Sequence, residues 1–279
     1  MSRKLTSILI LVRPVNFIIA FITAIVAVSI CSAHNFCLDI AVLTGLSAAI
    51  TLSAGNIIND VFDVEIDKIN RPRRPISSGK ISENSALVYY AILVLFSMTL
   101  AYLININAFL VVLCATIILF IYSKFLKRIP LVGNIVVAFL TGLVFIFGGV
   151  AVNNPDAALI PAVFAFLINM IREMVKDMED VEGDKIAGVD TFPIKCGFQK
   201  SKFLILTITI SLIMLTAFPF ITKLYKIEYF VFVMVTVNPL LIYSLKILFE
   251  NHSQNNLKKA SSLLKLDMVF GLIAIYVGI

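Results

Sequence analysis

Residues 59–68 read NDVFDVEIDK, and they follow an apolar run long enough to cross a bilayer. On a helix, Asp60, Asp63 and Asp67 are spaced three and then four residues apart, so they share one face with Asn56, one turn earlier. Carboxylates at such short spacing repel one another, and they weaken a helix unless positive charge lies between them. Because Mg²⁺ prefers oxygen ligands and binds through a few carboxylates and substrate phosphate oxygens, the segment predicts a magnesium site.

The same pattern recurs in residues 176–185, which read KDMEDVEGDK. The matches, all at one constant offset, are Asp60 and Asp177, Asp63 and Asp180, Val64 and Val181, Glu65 and Glu182, Asp67 and Asp184, and Lys68 and Lys185. One acidic run alone is as readily a solvated helix end. Ionisable groups near membrane depth are functional by default, so the repeat favours two segments that face each other across a cavity and hold metal ions on one diphosphate.

The composition is that of an all-α polytopic membrane protein, with no soluble domain left over. Hydrophobic residues make up 60% of the 279 and charged residues 14%, and the mean hydropathy is +1.00. Windows of about 20 apolar residues predict nine membrane helices, at roughly 15–32, 38–58, 85–104, 106–123, 131–151, 157–175, 202–222, 228–248 and 262–279. Only Asn105 and Asn107 separate the third from the fourth. No small-residue cleavage pattern follows the first apolar segment, so we interpret it as a membrane helix and not as a removed signal peptide.

The basic residues are distributed as the positive-inside rule requires. All Lys and Arg residues except Lys223 and Lys226 precede the first helix or fall in alternate loops after it, or within one helical turn of those loops. This asymmetry predicts a cytoplasmic N-terminus and, with nine spans, an outside C-terminus. Both acidic segments then open to the cytoplasm. Topology thus accounts for the net charge of +6, and we predict no nucleic-acid partner.

The four cysteines form no pattern of paired bridges. Cys31, His34 and Cys37 form a Cys-x2-His-x2-Cys cluster, which offers three ligands where a structural zinc site normally needs four. We therefore do not favour a soft-metal site or a disulfide there, and we assign no chemistry to His34 or His252.

Several single residues allow two interpretations. Arg73, Arg74 and Lys124 either follow the positive-inside rule alone or also contact phosphate, because the planar fork of arginine suits phosphate oxygens. Tyr122 is either an interfacial anchor or a ring that attracts a cation. Asn134, inside the fifth span, is either a site donor or, as we favour, a partner in a hydrogen bond between helices.

Four motifs together carry a resemblance to a known family. They are Asn59-Asp60-x-x-Asp63-x-x-x-Asp67 with Asn70-Arg71-Pro72-x-Arg74-Pro75 after it, the segment ending Asp180-x-x-x-Asp184, Arg13-Pro14-x-Asn16, and Tyr122-Ser123-x-x-Leu126-Lys127. These motifs resemble those of the UbiA superfamily of intramembrane prenyltransferases, and the resemblance covers nearly the whole chain. Within it, residues 176–184 and 191–194 are most similar to the archaeal members that make the second ether bond of membrane lipid.

The resemblance implies a bundle of nine transmembrane helices around a central cavity. It implies a single membrane-embedded domain over residues 1–279, with cytoplasmic cap loops at about 59–84 and 176–201. The implied reaction moves a geranylgeranyl group from geranylgeranyl diphosphate to the free hydroxyl of geranylgeranylglyceryl phosphate, with Mg²⁺ as cofactor and membrane lipid as surroundings. An allylic diphosphate leaves readily once its charge is neutralised, in a site that excludes water.

The expected site residues fall into three groups. The metal ligands are Asp60, Asp63, Asp67, Asp177, Asp180 and Asp184. The catalytic group consists of Lys124, Arg73, Arg74, Tyr122 and Asn59, of which Lys124, Arg73 and Arg74 would stabilise the departing diphosphate. The substrate contacts are Arg13, Asn16, Asn56, Lys127, Lys176, Lys185 and Lys195. Lys127, Arg128, Lys185 and Lys195 are also available for a phosphate on the acceptor.

Two other functions stay open. The same fold can prenylate an aromatic acceptor of the quinone or haem pathway, which needs fewer basic residues. A cation transporter can also carry intramembrane carboxylates on repeats. Against transport, the even helix count between the segments makes their topology parallel, and both lie at cytoplasmic ends and not near the midplane.

Overall fold

The computed structural model describes residues 3–32, 35–186, 188–251 and 253–279, which leaves His34 and His252 outside the described residues. Within these ranges it contains helices and no strand. Nine of the described helices are long and apolar enough to cross a membrane: Pro14–Cys31, Leu38–Phe62, Glu83–Ile104, Ile106–Lys124, Val132–Ala151, Asp156–Glu179, Phe192–Ile221, Ile227–Glu250 and Gln254–Gly278. The predicted all-α class and the predicted number of spans are confirmed within the described residues, but the seventh and ninth helices begin earlier than predicted, at Phe192 and Gln254.

The chain divides into two compact units, Met1–Lys127 with Leu143–Ala158 and Arg128–Gly142 with Leu159–Ile279. The first unit contains α1 (Arg3–Val12), α2 (Pro14–Cys31), α3 (Leu38–Phe62), α4 (Val64–Asn70), α5 (Glu83–Ile104), α6 (Ile106–Lys124) and the end of α7 (Val132–Ala151). The second contains the start of α7, α8 (Leu159–Glu179), α9 (Val181–Ile186), α10 (Phe192–Ile221), α11 (Ile227–Phe232), α12 (Asn238–Glu250) and α13 (Gln254–Gly278).

The first unit is built around α3, which packs against α1, α2, α5 and α6. Its glycines permit this close packing. A Cβ added at Gly45 would lie 2.7 Å from the ring of Phe21, and one at Gly55 would lie 2.9 Å from Leu119. Small residues at helix contacts let transmembrane backbones approach closely. The polar end of α3 is therefore held by several packed helices.

The helix α1 is an element that the sequence did not predict. It ends before Arg13, which has a left-handed φ of 55°, and α2 begins at Pro14. A residue before proline disfavours the right-handed helical conformation, so the Arg13-Pro14 pair was the available sequence signal. Leu11, near the end of α1, is fully buried in a cluster with Ile57 and Ile76. This packing fixes α1 against the region where α3 ends.

In the second unit, α8 packs against α10 and α13, and α13 also packs against α11 and α12. Gly197 interrupts α10 with a φ of 83°. A π-helical turn, Val233–Val237, joins α11 to α12. The side-chain amide of Gln254 donates to the carbonyl of Glu179 at 3.1 Å, which ties the start of α13 to the end of α8. The second acidic segment thus begins at a fixed helix end.

Candidate functional site

The first acidic segment follows a one-residue break between two helices. The helix α3 ends at Phe62 and α4 begins at Val64, so Asp63 lies between them. Helical hydrogen bonds nevertheless continue, because the amide of Asp63 donates to Asn59 at 3.0 Å and that of Asp67 donates to Asp63 at 2.8 Å. The carboxylates therefore keep the helical spacing that the sequence predicts.

The second acidic segment has the same backbone design. The helix α8 ends at Glu179 and α9 begins at Val181, which leaves Asp180 at the break. The amide of Asp180 donates to Lys176 and that of Asp184 donates to Asp180, both at 2.9 Å. The repeat in the sequence is thus also a repeat of local structure, with the break at equivalent positions.

The three aspartates of the first segment are deeply buried, with Asp60 3%, Asp63 5% and Asp67 6% exposed. One guanidinium nitrogen of Arg74 donates to Asp60 at 2.9 Å and to Asp67 at 2.5 Å. Arg13 donates to the same oxygen of Asp60 at 2.5 Å. Because one nitrogen reaches both Asp60 and Asp67, these two carboxylates lie on the same face, two turns apart.

Arg13 also reaches one turn back along α3. Its second terminal nitrogen donates to the side-chain oxygen of Asn56 at 3.1 Å. Burial is the main cause that lowers the pKa of Arg13 from its ordinary value, and Asp60 opposes this while the positive charge of Arg74 adds to it. A planar fork is needed to bind both α3 residues at once. Arg13 therefore links the α1–α2 junction to the first acidic segment.

Asp63 has partners of its own. It forms an ion pair with Lys127 and accepts a hydrogen bond from the side-chain amide of Asn59 at 2.9 Å. Lys127 was predicted to contact substrate, and in the structure it is paired with Asp63, a predicted metal ligand. Together Arg13, Arg74 and Lys127 bring a positive charge to each aspartate of this segment.

The second segment has fewer direct cation contacts. Asp177 accepts a hydrogen bond from Asn134 at 2.8 Å, which confirms the hydrogen bond between helices predicted for Asn134 and gives it a predicted site residue as partner. Asp180 is exposed and Asp184 is half-buried. Among the described residues, neither Asp177 nor Asp180 forms an ion pair.

Two cations at the N-terminal end of the second segment contact Glu173 instead. Arg172 donates to Glu173 at 2.6 Å, and the ammonium of Lys176 lies 3.9 Å from it. Glu173 was missed by the sequence reasoning, although it lies at the same constant offset from Asn56 that relates the two segments. The second repeat therefore carries an additional carboxylate where the first has an amide.

The donor chemistry of both segments fits a hard divalent cation. Every predicted ligand offers carboxylate oxygen, which Mg²⁺ prefers. In the part of the chain that the structure describes, no three His, Cys, Asp or Glu side chains are grouped closely enough to hold a metal ion. The three cations that contact Asp60, Asp63 and Asp67 show that this buried face already attracts positive charge.

The remaining predicted residues lie away from these carboxylate contacts. Lys124 is exposed, with its ammonium 5.0 Å from the ring centroid of Phe125. Lys195, in the first turn of α10, pairs with Asp190, which precedes that helix, at 3.3 Å, and both side chains are exposed. Tyr122 is half-buried, and the exposed residues are Arg73, Asn16 and Lys185. Cys31 and Cys37 are both free thiols, so no disulfide joins them.

A cationic cavity lies beside the first segment and was not predicted as such. It has a volume of about 390 Å³ and is lined by Ile10, Arg71, Pro72, Arg73 and Arg74. Arg71 was not among the predicted site residues. The feature of the sequence that could have indicated Arg71 is the run of arginine and proline in residues 71–75.

Comparison with known sequences identifies similar proteins over almost the full length. The model of the UbiA prenyltransferase family matches residues 20–269. The digeranylgeranylglyceryl phosphate synthase of Methanosphaera stadtmanae is 35% identical over 268 residues, which cover 96% of this chain and 97% of that protein. The protein of the same name from Methanocaldococcus jannaschii is 37% identical over 281 residues, covering 99% and 96%.

Comparison with solved structures identifies similar proteins of the same family. A structure described as giving insights into digeranylgeranylglyceryl phosphate synthase in membranes matches with a TM-score of 0.86 and 36% identity, covering 99% of both chains. A UbiA homologue from Archaeoglobus fulgidus, bound to GPP and Mg²⁺, matches with a TM-score of 0.70 over 96% of this chain and 99% of that one. At 23% identity, this second likeness shows a shared fold alone.

Proposed function

The chain belongs to the UbiA prenyltransferase family, and on this premise we propose that it transfers a geranylgeranyl group from geranylgeranyl diphosphate to the free hydroxyl of geranylgeranylglyceryl phosphate. The product would carry the second ether bond of archaeal membrane lipid. The observation that carries the proposal is similarity at 35% and 37% identity, over nearly the whole chain, to enzymes named for this product.

The proposal assigns the cofactor Mg²⁺ to the carboxylates of both acidic segments. The ligands are Asp60, Asp63, Asp67, Asp177, Asp180 and Asp184. The repeated backbone design and the all-oxygen donor set support this assignment. When bound, magnesium supplies positive charge that makes a diphosphate a better leaving group.

Basic side chains would complete the diphosphate site. Arg74 already lies between Asp60 and Asp67, so it is placed to share a diphosphate with metal on those carboxylates. Lys124 has no carboxylate partner among the described residues, which leaves its ammonium available for an anion. Asn56 and Asn59 position charged groups, since Asn56 accepts from Arg13 and Asn59 donates to Asp63. The contacts of Asn16, Lys176 and Lys185 with substrate stay predictions.

The reaction breaks one bond and makes one. The bond from C1 of the allylic chain to the diphosphate oxygen breaks, and its electron pair stays on the diphosphate. The acceptor hydroxyl oxygen then bonds to C1, and its proton passes to a carboxylate or to the diphosphate, which are the two bases of the site. Water would intercept the allylic cation, so the reaction needs a dry membrane interior, and the ring of Tyr122 is proposed to stabilise the positive charge.

The test is transfer by the purified protein. It is incubated with Mg²⁺, labelled geranylgeranyl diphosphate and either geranylgeranylglyceryl phosphate or 4-hydroxybenzoate. We expect labelled product with the glyceryl phosphate and none after removal of Mg²⁺ with a chelator. Transfer only to the aromatic acid would be consistent with the family but would indicate a function in quinone synthesis. No transfer to either acceptor would contradict the proposal and favour the alternative function, cation transport.

A further inference from the structure

The cavity of about 390 Å³ beside the first acidic segment contains unpaired positive charge. Of its three arginines, Arg74 is committed to Asp60 and Asp67. Arg71 and Arg73 are exposed, and neither forms an ion pair with a carboxylate in the described ranges of the chain. Two guanidinium groups are therefore available to a ligand at this position.

The loop that carries these arginines is held in one conformation. The carbonyl of Arg71 accepts from the amide of Arg74 at 3.0 Å and from the hydroxyl of Ser77 at 3.1 Å. Two residues after Arg74, Ile76 is buried in the cluster that includes Leu11 of α1. A preorganised loop loses less conformational freedom when a ligand binds. The backbone positions of Arg71 and Arg73 are thus set before a ligand arrives.

Positive charge is in excess around the cavity. Arg13, Arg71, Arg73 and Arg74 lie in this region of the first unit, where the arginines that are paired contact only the carboxylates of Asp60 and Asp67. Arg71, Arg73 and Arg74 line one cavity, and Arg13 donates to the same oxygen of Asp60 as Arg74, so these guanidinium groups lie close together. An anion with several oxygens would relieve this repulsion, and arginine binds phosphate through two parallel hydrogen bonds.

We propose that this cavity binds the phosphate monoester of the lipid acceptor, with Arg71 and Arg73 as its phosphate-binding residues and Ile10 as an apolar wall. The inference rests on the proposed function and deepens it. It assigns Arg73 to the phosphate of the acceptor and no longer to the departing diphosphate. It also replaces two basic residues considered for the acceptor phosphate, because Lys127 pairs with Asp63 and Lys195 with Asp190. The volume is near the lower end of ligand pockets, which suits a glyceryl phosphate head.

The experiment compares the double variant Arg71→Gln/Arg73→Gln with Lys80→Gln. Lys80 is an exposed cation of the same loop that does not line the cavity. Steady-state kinetics are measured with geranylgeranylglyceryl phosphate and with phosphate-free geranylgeranylglycerol. We expect KM for the phosphorylated acceptor to rise at least about tenfold in the double variant, because each lost charge-assisted hydrogen bond weakens binding. KM for geranylgeranyl diphosphate should stay unchanged, and Lys80→Gln should match the wild type.

Two arms separate the alternatives. A rise in KM for geranylgeranyl diphosphate, with KM for the acceptor unchanged, would assign the cavity to the diphosphate and overturn the inference while the enzymatic function stands. If the double variant differs from the wild type in its acceptor KM only after phosphatidylglycerol is added to neutral-detergent micelles, the arginines bind membrane headgroups, and this result would also overturn the inference. If the double variant fails to fold, the same kinetic measurements are made on the single variant Arg73→Gln.

Failure of the function itself is recognised separately. If the wild type transfers to neither glyceryl acceptor, the cavity is tested by thermal unfolding with geranylgeranylglyceryl phosphate and without it. The ligand should raise Tm of the wild type and of Lys80→Gln but not of the arginine variant. An equal rise in all three proteins would exclude the cavity as the phosphate site.

Discussion

Asp180 offers the cleanest test of metal binding at the scale of a single residue. Its side chain is exposed and makes no hydrogen bond or ion pair among the described residues. Asp180→Asn should therefore leave Tm unchanged, since surface changes of this kind alter stability by about 0.5 kcal/mol or less. If Asp180 holds magnesium, the variant should lose turnover by about 100-fold or more, the size expected when a group that stabilises transition-state charge is lost.

Glu182→Gln is the matched control for Asp180. Glu182 is an exposed acidic residue two positions further along the same segment, and it is not a predicted ligand. Turnover and Mg²⁺ dependence are measured for both variants, with Tm as the check of folding. Wild-type turnover in Asp180→Asn, or an equal loss in Glu182→Gln, would contradict the assignment of Asp180 as a ligand.

The individual residues of the candidate site differ in how far the sequence could predict them. The carboxylates could be proposed as ligands from the sequence because their spacing is local and repeated. Their partners were not, since Arg13 reaches Asp60 across 47 positions and Lys127 reaches Asp63 across 64. Such pairs depend on which helices pack together, and periodicity in one segment carries no information about that. The sequence assigned no role to Arg71, because a basic residue in a loop predicted to be cytoplasmic is equally well explained by membrane topology.

At the scale of the helices, the division between α5 and α6 depends on one side chain. The side-chain oxygen of Asn105 accepts from the amide of Ala108 at 2.7 Å, and its amide donates to the carbonyl of Val150 at 3.0 Å. Asn105 therefore caps α6 and ties it to α7. The sequence showed Asn105 and Asn107 as equal interruptions, because a capping contact and a contact with a distant carbonyl are visible only in the folded chain.

Asn105→Ala should lower the free energy of unfolding by about 1–2 kcal/mol, through loss of the cap and of the bond to Val150. Asn107→Ala is the control, because Asn107 is exposed and makes no side-chain hydrogen bond in the part of α6 that the structure describes. Thermal unfolding of both variants in the same detergent is the measurement. Equal Tm values for the two variants would show that the break does not depend on Asn105.

The short helix α1 shows why another element was not predicted. A hydropathy window starting near residue 15 detects the span and treats the preceding residues as a tail. The break at Arg13 and the burial of Leu11 make residues 3–12 a separate helix. Its packing supplies Ile10 to the arginine cavity, so an element invisible to hydropathy contributes to the proposed acceptor site.

For the whole molecule, the charge distribution predicts one orientation in the membrane. All Lys and Arg residues except Lys223 and Lys226 lie on the side that we propose to be cytoplasmic, and the nine described spans then place the C-terminus outside. Reporter fusions after Lys80, after Lys223 and after Ile279 test this in cells. A phosphatase active only outside the cytoplasm should be active after Lys223 and Ile279 and inactive after Lys80. A fluorescent protein that folds only inside should show the reverse. Activity of the phosphatase after Lys80 would overturn the orientation and, with it, the prediction that both acidic segments open to the cytoplasm.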